Sequence, residues 1–366
     1  IENEKWCLPS ILLFALLLVS WGGISLLWTV NRNATIDRIQ TAVQLFMLLV
    51  LVINFVKDPR KLKAVLIALF IGCFIVTIMG LFGIGVAEYG FLLTLDDQSA
   101  KEYGSYVGLV FLIGSILFFL QKGKQRWLGF ILTLLPITSL IRINQRGVLF
   151  GIGIAWLAML VITREKVKTI LLIVTVIFLF GYTINLLHQQ GVINELLAER
   201  LTVENLIETG GTGRAEIWST GWRMIKDNPI FGVGWANYPI AYDKYVQRGV
   251  NPSISFGYVQ KDPHNDLIGL AGELGIVGAV LFLILLHNIF MKNYDLLSKR
   301  NDDQENIVAL LIFCLLVYVF SVGLTSTFIW RKVYWLVLGL AVSSPLVIDI
   351  SRKEKEKSSK GMVYYQ

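Results

Sequence analysis

The stretch Asp262-Pro263-His264-Asn265-Asp266-Leu267-Ile268-Gly269-Leu270-Ala271-Gly272-Glu273-Leu274-Gly275-Ile276-Val277-Gly278 joins two kinds of chain. Before it runs a long segment rich in aromatic and polar residues; after it the sequence stays apolar to about residue 291. An apolar helix of that length crosses about 30 Å of hydrocarbon. The junction therefore sets His264 at the mouth of a membrane helix and places Glu273 about two turns inside it.

Outward from that helix, the same pattern recurs. We read ten spans, at roughly 8–30, 36–56, 62–87, 104–121, 126–142, 147–163, 168–187, 266–291, 305–328 and 333–350. Runs of this length far exceed barrel strands, and a backbone in lipid must satisfy its own hydrogen bonds, so they are helices. Composition agrees: 55% of the 366 residues are hydrophobic and 16% charged, against about a quarter charged in a soluble domain. The expected fold class is all-α and polytopic, with one large loop containing short helices. It divides into seven helices over 1–187, a loop at 188–265, three helices over 266–350 and a basic tail at 351–366.

Lys and Arg in the connectors orient the chain. One side collects nineteen: Lys5, Lys57, Arg60, Lys61, Lys63, Lys122, Lys124, Arg126, Arg164, Lys166, Lys168, Lys292, Lys299, Arg300 and the five of the tail between Arg352 and Lys360. The other side's short connectors hold seven: Arg32, Arg38, Lys101, Arg142, Arg146, Arg331 and Lys332. Both termini are therefore expected in the cytoplasm of a cytoplasmic-membrane protein, and the long loop outside it. The net charge of +7 then reflects topology and anionic lipid heads and does not point to nucleic acid. The tail reads as a disordered segment near the membrane. Cys7, Cys73 and Cys314 fall in or beside apolar runs, with no spacing that suggests a metal. The first apolar run is too long for a cleavable signal peptide. The chain starts at Ile1, which leaves open whether an N-terminal helix pair precedes it.

The long loop has the composition of a folded cap. It carries Trp218, Trp222, Trp235, Tyr238, Tyr242, Tyr245, Phe231, Phe256 and Tyr258, and loops of such length are usually functional. Helices are expected at Asn194–Ile207 and Gly213–Lys226, the second stopped by Asn228-Pro229. Ile217, Trp218, Gly221, Trp222 and Ile225 gather on one side of it, a face suited equally to the membrane interface or to packing on the helix mouths. Pro229-Ile230-Phe231-Gly232-Val233-Gly234-Trp235 implies a tight backbone path; it is not a phosphate-loop pattern.

Several residues have the chemistry of a site. Asn265 is a candidate N-cap, and the positive end of the helix that follows disfavours imidazolium at His264. His264 would then be neutral near pH 7 and could accept a proton; the alternative is a histidine that only caps. His188 and His287 read as structural or interfacial. Glu273 is the one carboxylate well inside an apolar span, a functional signal by default, with Asp266 on the same helix face and a buried pair as the alternative. Gly269, Gly272, Gly275 and Gly278 permit close helix packing. Arg38, Arg142, Arg146 and Arg214 sit on the side poor in positive charge. Each guanidinium fork suits a phosphate, or snorkels to lipid heads. No metal site is expected.

Together these motifs follow one order. Arg146-Gly147 ends an outer connector, and Gly213-Arg214 to Trp218 opens a loop helix. Asn228-Pro229 to Gly234 follows, then Pro263-His264-Asn265 and Glu273 to Gly278. The chain resembles the O-antigen ligase and O-antigen polymerase (Wzy-like) superfamily of bacterial membrane glycosyltransferases, most strongly over 140–290. The resemblance implies a GT-C-like enzyme without cofactor, metal or nucleotide sugar. Its donor would be a polyprenyl diphosphate-linked glycan, and its acceptor a glycan or lipid-linked glycan, beside membrane lipid and other polysaccharide-assembly proteins.

Carried onto this chain, His264 is the base, Arg146 and Arg214 hold the departing diphosphate, and the anomeric centre inverts. Glu273, Arg142, Arg38, Trp218, Trp222, Asp266 and Asn265 fall to substrate binding, with Glu273 orienting His264 or an arginine and loop aromatics stacking on sugars. The chain departs from the pattern in having ten spans where about twelve are common. It has Gln145 where Ser often precedes Arg-Gly, and lacks an Asn near Gly104. A slight preference goes to polymerase, since nothing marks a lipid-A partner. A transporter or flippase of an anionic lipid or solute is the competing class, although no inverted repeat supports it; a scaffold is the third.

Overall fold

The computed structural model describes residues 9–84, 86–89, 92–95, 100–143, 145–163, 166–189, 214–246, 261–298 and 304–363. The expected helix at Asn194–Ile207 lies outside them. Among the described residues the elements are α1 (Ser10–Ile24), α2 (Arg32–Phe55), α3 (Pro59–Leu81), a hairpin of β1 (Val86–Tyr89) and β2 (Leu92–Leu95), α4 (Ala100–Leu120), α5 (Gly123–Leu134), α6 (Ile137–Ile143), α7 (Arg146–Ile162), α8 (Lys166–Gln189), α9 (Arg214–Asp227), α10 (Tyr238–Tyr245), α11 (Asp266–Ser298), α12 (Gln304–Gly323) and α13 (Lys332–Val363). The hairpin is antiparallel, with Val86 opposite Leu95 and Tyr89 opposite Leu92.

All ten apolar runs carry helix, and the protein is a multi-pass membrane protein. Six helices are long and apolar enough by themselves to cross a bilayer among the described residues, and α7 and the Ile307–Gly323 part of α12 are shorter apolar helices. The fifth run is divided at Leu135-Pro136 into α5 and α6, because proline has no N–H to donate and its ring clashes with the preceding turn. The tail departs from expectation: α13 continues to Val363. Its Glu354…Lys357 and Glu356…Lys360 spacings favour helix over a disordered charge run.

The chain forms two compact units. The first comprises 1–62, 210–295 and 323–366. In it α2 packs along α13, where Gly339 lets Val52 approach. Asn31 caps α2 by accepting from the Ala34 amide at 3.2 Å. Trp235 is wholly buried in this unit, against Gly22 of α1 and 5.3 Å from the Trp330 ring. Its carbonyl accepts from Thr35 at 2.8 Å. Next to it, buried Asn237 accepts from the Asn31 amide at 2.7 Å and donates to Thr29 at 2.7 Å and Thr35 at 2.9 Å. The segment after the loop glycines is thus a plug seated on the α1–α2 turn.

The second unit comprises 63–209 and 296–322. The α4 and α5 backbones meet at Gly114, where an added Cβ would lie 2.7 Å from the Leu132 carbonyl carbon, and again at Gly129 against Phe118. Trp156 of α7 donates to Ser115 at 3.1 Å, and Tyr318 of α12 to the Ser105 carbonyl at 2.9 Å. Two of the three departures noted in the sequence meet here: a Cβ on Gly104 would lie 2.8 Å from Gln145 Oε1. The larger amide before Arg146 takes up space that a side chain at 104 would need.

Candidate functional site

Local sequence places His264. Asn265 caps α11 as its side chain suggested: Oδ1 accepts from the Leu267 and Ile268 amides at 2.9 and 3.0 Å, while Nδ2 donates to the Leu324 carbonyl at 3.0 Å. To enter that cap the chain turns through His264 with φ of 49°, a left-handed conformation that histidine tolerates better than most residues but that still carries strain. On its other side, the Pro263 carbonyl accepts from Trp218 Nε1 at 3.2 Å. Pro263 itself lies against Gly269, where a Cβ would come within 2.9 Å of its ring. The histidine is therefore held from both neighbours by packed groups.

Behind this turn lies a cavity of about 20 Å³, room for about one water. Asp262, Pro263, Asn265, Asp266, Glu273 and Arg38 contribute to its walls. Arg38 stands over the Trp330 ring at 4.6 Å, and its charge acts on Glu273, Asp262 and Asp266. It is a polar seat behind the histidine and too small for a sugar.

The two buried carboxylates each hold a loop. Asp266 Oδ1 accepts from the Phe328 and Ile329 amides at 2.8 and 3.1 Å. Glu273 Oε2 accepts from the Ala236 amide at 3.0 Å, and Oε1 from Tyr238 at 3.2 Å. Just beyond, α11 breaks at Gly275, with φ of 68° and ψ of −171°. The turn at Pro229 to Gly234 docks there: Val233 and Gly234 donate to the Gly272 and Glu273 carbonyls at 3.0 and 2.9 Å, and Ile276 donates to Pro229 at 2.8 Å. A Cβ at Gly232 would strike the Glu273 backbone, and one at Gly275 the Ile230 carbonyl. Gly269, Gly272 and Gly275 of α11 face the loop, where close helix packing was expected, while Gly278 faces Leu274 of its own helix.

The described part of the loop has its own core: Ile217, Met224, Val233, Tyr238, Ala241, Tyr242 and Tyr245, with Trp218 against it. Tyr238 donates to the Ile217 carbonyl at 2.6 Å, and burial pushes its phenol up, so it stays protonated. The α9 face expected to act as one is split. Ile217 and Gly221 turn inward, and Trp222 is 58% exposed.

Among the expected residues, the first unit brings together Arg38, Asn265, Asp266 and Glu273 around the cavity beside His264, with Trp218 bonded to Pro263. Arg214 is the first residue of α9 and half-buried. Arg142 and Arg146 belong to the second unit, on α6 and at the first residue of α7. The sequence reading missed Trp330 and counted Arg331 only toward topology. Arg331 is half-buried, and burial together with the nearby Arg38 charge lowers it from the usual arginine range. The Trp-Arg-Lys run before the last span was the available signal.

Residues 131–283 match a family model described as O-antigen ligase, Wzy_C. The chain is 25% identical over 345 residues to a candidate polysaccharide ligase of Rickettsia conorii, covering 89% of this chain and 77% of that protein. It is 27% identical over 357 residues to one of Rickettsia felis, covering 93% and 81%. A chain from a solved structure of a peptidoglycan synthase complex superposes with a TM-score of 0.45 at 14% identity, covering 95% of this chain and 98% of that one. Over residues 131–283 the chain is therefore similar to the O-antigen ligase (Wzy_C) family.

Proposed function

We propose that the protein transfers a glycan from a polyprenyl diphosphate to an acceptor hydroxyl at the outer face of the cytoplasmic membrane. His264 takes the acceptor proton, the acceptor oxygen bonds to the anomeric carbon, and the carbon–oxygen bond to the diphosphate breaks. The polyprenyl diphosphate leaves with the electron pair, and the anomeric centre inverts. Arg214 and Arg146 bind the diphosphate and offset its growing charge. No metal or cofactor takes part. The observation that carries the reading is the left-handed His264 at a capped helix mouth, braced through Pro263 by Trp218, within the matched family region.

Asn265, Glu273 and the Oδ1 atom of Asp266 bond to backbone groups, so their role is to position the turn. Arg38 governs the charge behind it. Trp218 acts through Pro263, while exposed Trp222 remains available to a sugar ring. Arg142 is assigned to the donor with Arg146. The relatives' names favour ligation over the polymerisation first preferred, with a lipid-linked or other glycan as acceptor. Both termini lie in the cytoplasm.

The test is glycan transfer by purified protein with a polyprenyl diphosphate-linked glycan and candidate acceptors, in EDTA. Wild type should form product, with its length separating single ligation from polymerisation. His264→Ala should fall about 10²–10⁴-fold, and folded Arg214→Ala should fall as well. Full activity in His264→Ala would remove the base. Saturable donor binding without product from any acceptor would favour a transporter.

A further inference from the structure

A second cleft, of about 520 Å³, lies in the first unit and shares no lining residue with the cavity behind His264. Trp28 and Val30 form one wall; Phe231, Ile240, Lys244 and Tyr245 form much of the other. Its size is that of a small-molecule site. Neither the family match nor the proposed transfer gives it a role.

Its position follows from the first span. The membrane-crossing helix ends at Leu27, so Trp28 and Val30 sit at the edge of the hydrocarbon. Leu27 is 82% exposed, Val30 65%, and Ile230 and Phe231 52% each. A contiguous apolar patch of this kind marks a membrane or partner surface. Trp21, Trp28 and Phe231 form an aromatic cluster there, with centroids 5.1 to 5.9 Å apart, as interfacial aromatic belts do. Trp28 Nε1 also donates to the Phe231 carbonyl at 3.0 Å, tying the turn to the end of the span. The mouth of the cleft thus opens at bilayer level.

The walls specify the occupant. Val30, Val233 and Ile240 favour alkyl contact and give a sugar hydroxyl nothing to bond. At the polar end stand the Lys244 ammonium, 5.3 Å from the Tyr245 ring centroid, and the Tyr245 hydroxyl with its Asn228 donor at 2.9 Å. Among the described residues no carboxylate forms an ion pair with Lys244. A cation beside a hydroxyl suits a phosphate.

We propose that this cleft binds one anionic phospholipid from the leaflet facing the loop. Its phosphate meets Lys244, and an acyl chain runs between Trp28, Val30 and Phe231. The bound lipid braces the Pro229–Val233 turn, the same turn that docks on broken α11 and so supports the His264 region. This inference rests on the membrane spans and is independent of the transfer reaction.

The test uses the full chain in phosphatidylcholine nanodiscs containing a phosphatidylglycerol analogue with a diazirine in one acyl chain. Crosslinks are mapped by mass spectrometry. They should fall on the Trp28–Val30 segment and on Phe231–Tyr245. Lys244→Ala should lower them roughly fivefold, the effect of one basic residue at an anionic surface, with labelling elsewhere unchanged. Ile240→Trp, which fills the cleft, should abolish them. A matched phosphatidylcholine analogue should label the site less. Equal labelling by the two analogues, or none at these segments, would overturn the proposal. So would unchanged labelling in Lys244→Ala. Protection by the neutral oligosaccharide maltoheptaose would reassign the cleft to glycan.

Discussion

The Glu273 carboxylate lies 3.0 Å from the backbone amide of Ala236, and through that bond a membrane helix holds the loop that covers its own broken turn. With the Tyr238 amide on its other oxygen, both oxygens of the buried carboxyl group accept a bond. Glu273→Gln would keep one carbonyl acceptor and set an NH2 group against the second amide. We expect a loss of about 2 kcal/mol, read as a drop in thermal unfolding temperature in detergent. Ala236, at φ of 60°, offers the control: Ala236→Gly should not lower that temperature. A Glu273→Gln protein as stable as wild type would remove the clamp.

Gly275 should tolerate no side chain. Its φ of 68° already disfavours one, and a Cβ would meet the Ile230 carbonyl. Gly275→Ala should cost more than the roughly 1 kcal/mol of an ordinary helical glycine position, because the loop must lift for it to fit. Gly153, with open space around its Cβ position, is the comparison: Gly153→Ala should leave monodisperse yield unchanged while Gly275→Ala sharply lowers it. Equal yields would show that the break is not needed for docking.

These two residues mark what was legible. The cap at Asn265 depends on neighbours two and three residues away, so its side chain announced it. The α9 boundaries followed likewise from local stop signals. The break at Pro136 was equally local and was read through, because hydropathy averages over it. The glycine stripe was visible, but its partner was not: spacing gives a smooth surface and cannot say whether a helix or a loop lies on it. Bonds such as Trp21 to the Leu274 carbonyl, 2.8 Å across 253 residues, leave no periodic trace. Arg38 was legible as an outer arginine, whereas its stacking on Trp330 was not.

Trp218 is expected to act through Pro263. Trp218→Phe keeps an aromatic body against the loop core and removes only the N–H given to the Pro263 carbonyl. Stability should fall by about 1 kcal/mol. Turnover should fall with little change in the apparent affinity for acceptor, since the histidine loses alignment while the binding surface stays. A purely raised KM at constant kcat would instead make Trp218 a sugar contact.

Arg38 separates charge from shape. It stands 4.6 Å over the Trp330 ring and offsets carboxylates that are already committed to backbone amides. Arg38→Lys keeps the charge but loses the planar face, which stacks on an aromatic in a way an ammonium cannot. A cation–π contact away from bulk water is worth about 1–2 kcal/mol, so transfer should drop about tenfold while the protein still folds. Arg38→Ala removes the charge as well and leaves Glu273 and Asp266 without their cation. Losing the charge and the ring contact together should lower its thermal unfolding temperature below that of Arg38→Lys. If Arg38→Ala unfolds at the wild-type temperature, the carboxylates do not depend on it, and the guanidinium must serve the substrate alone.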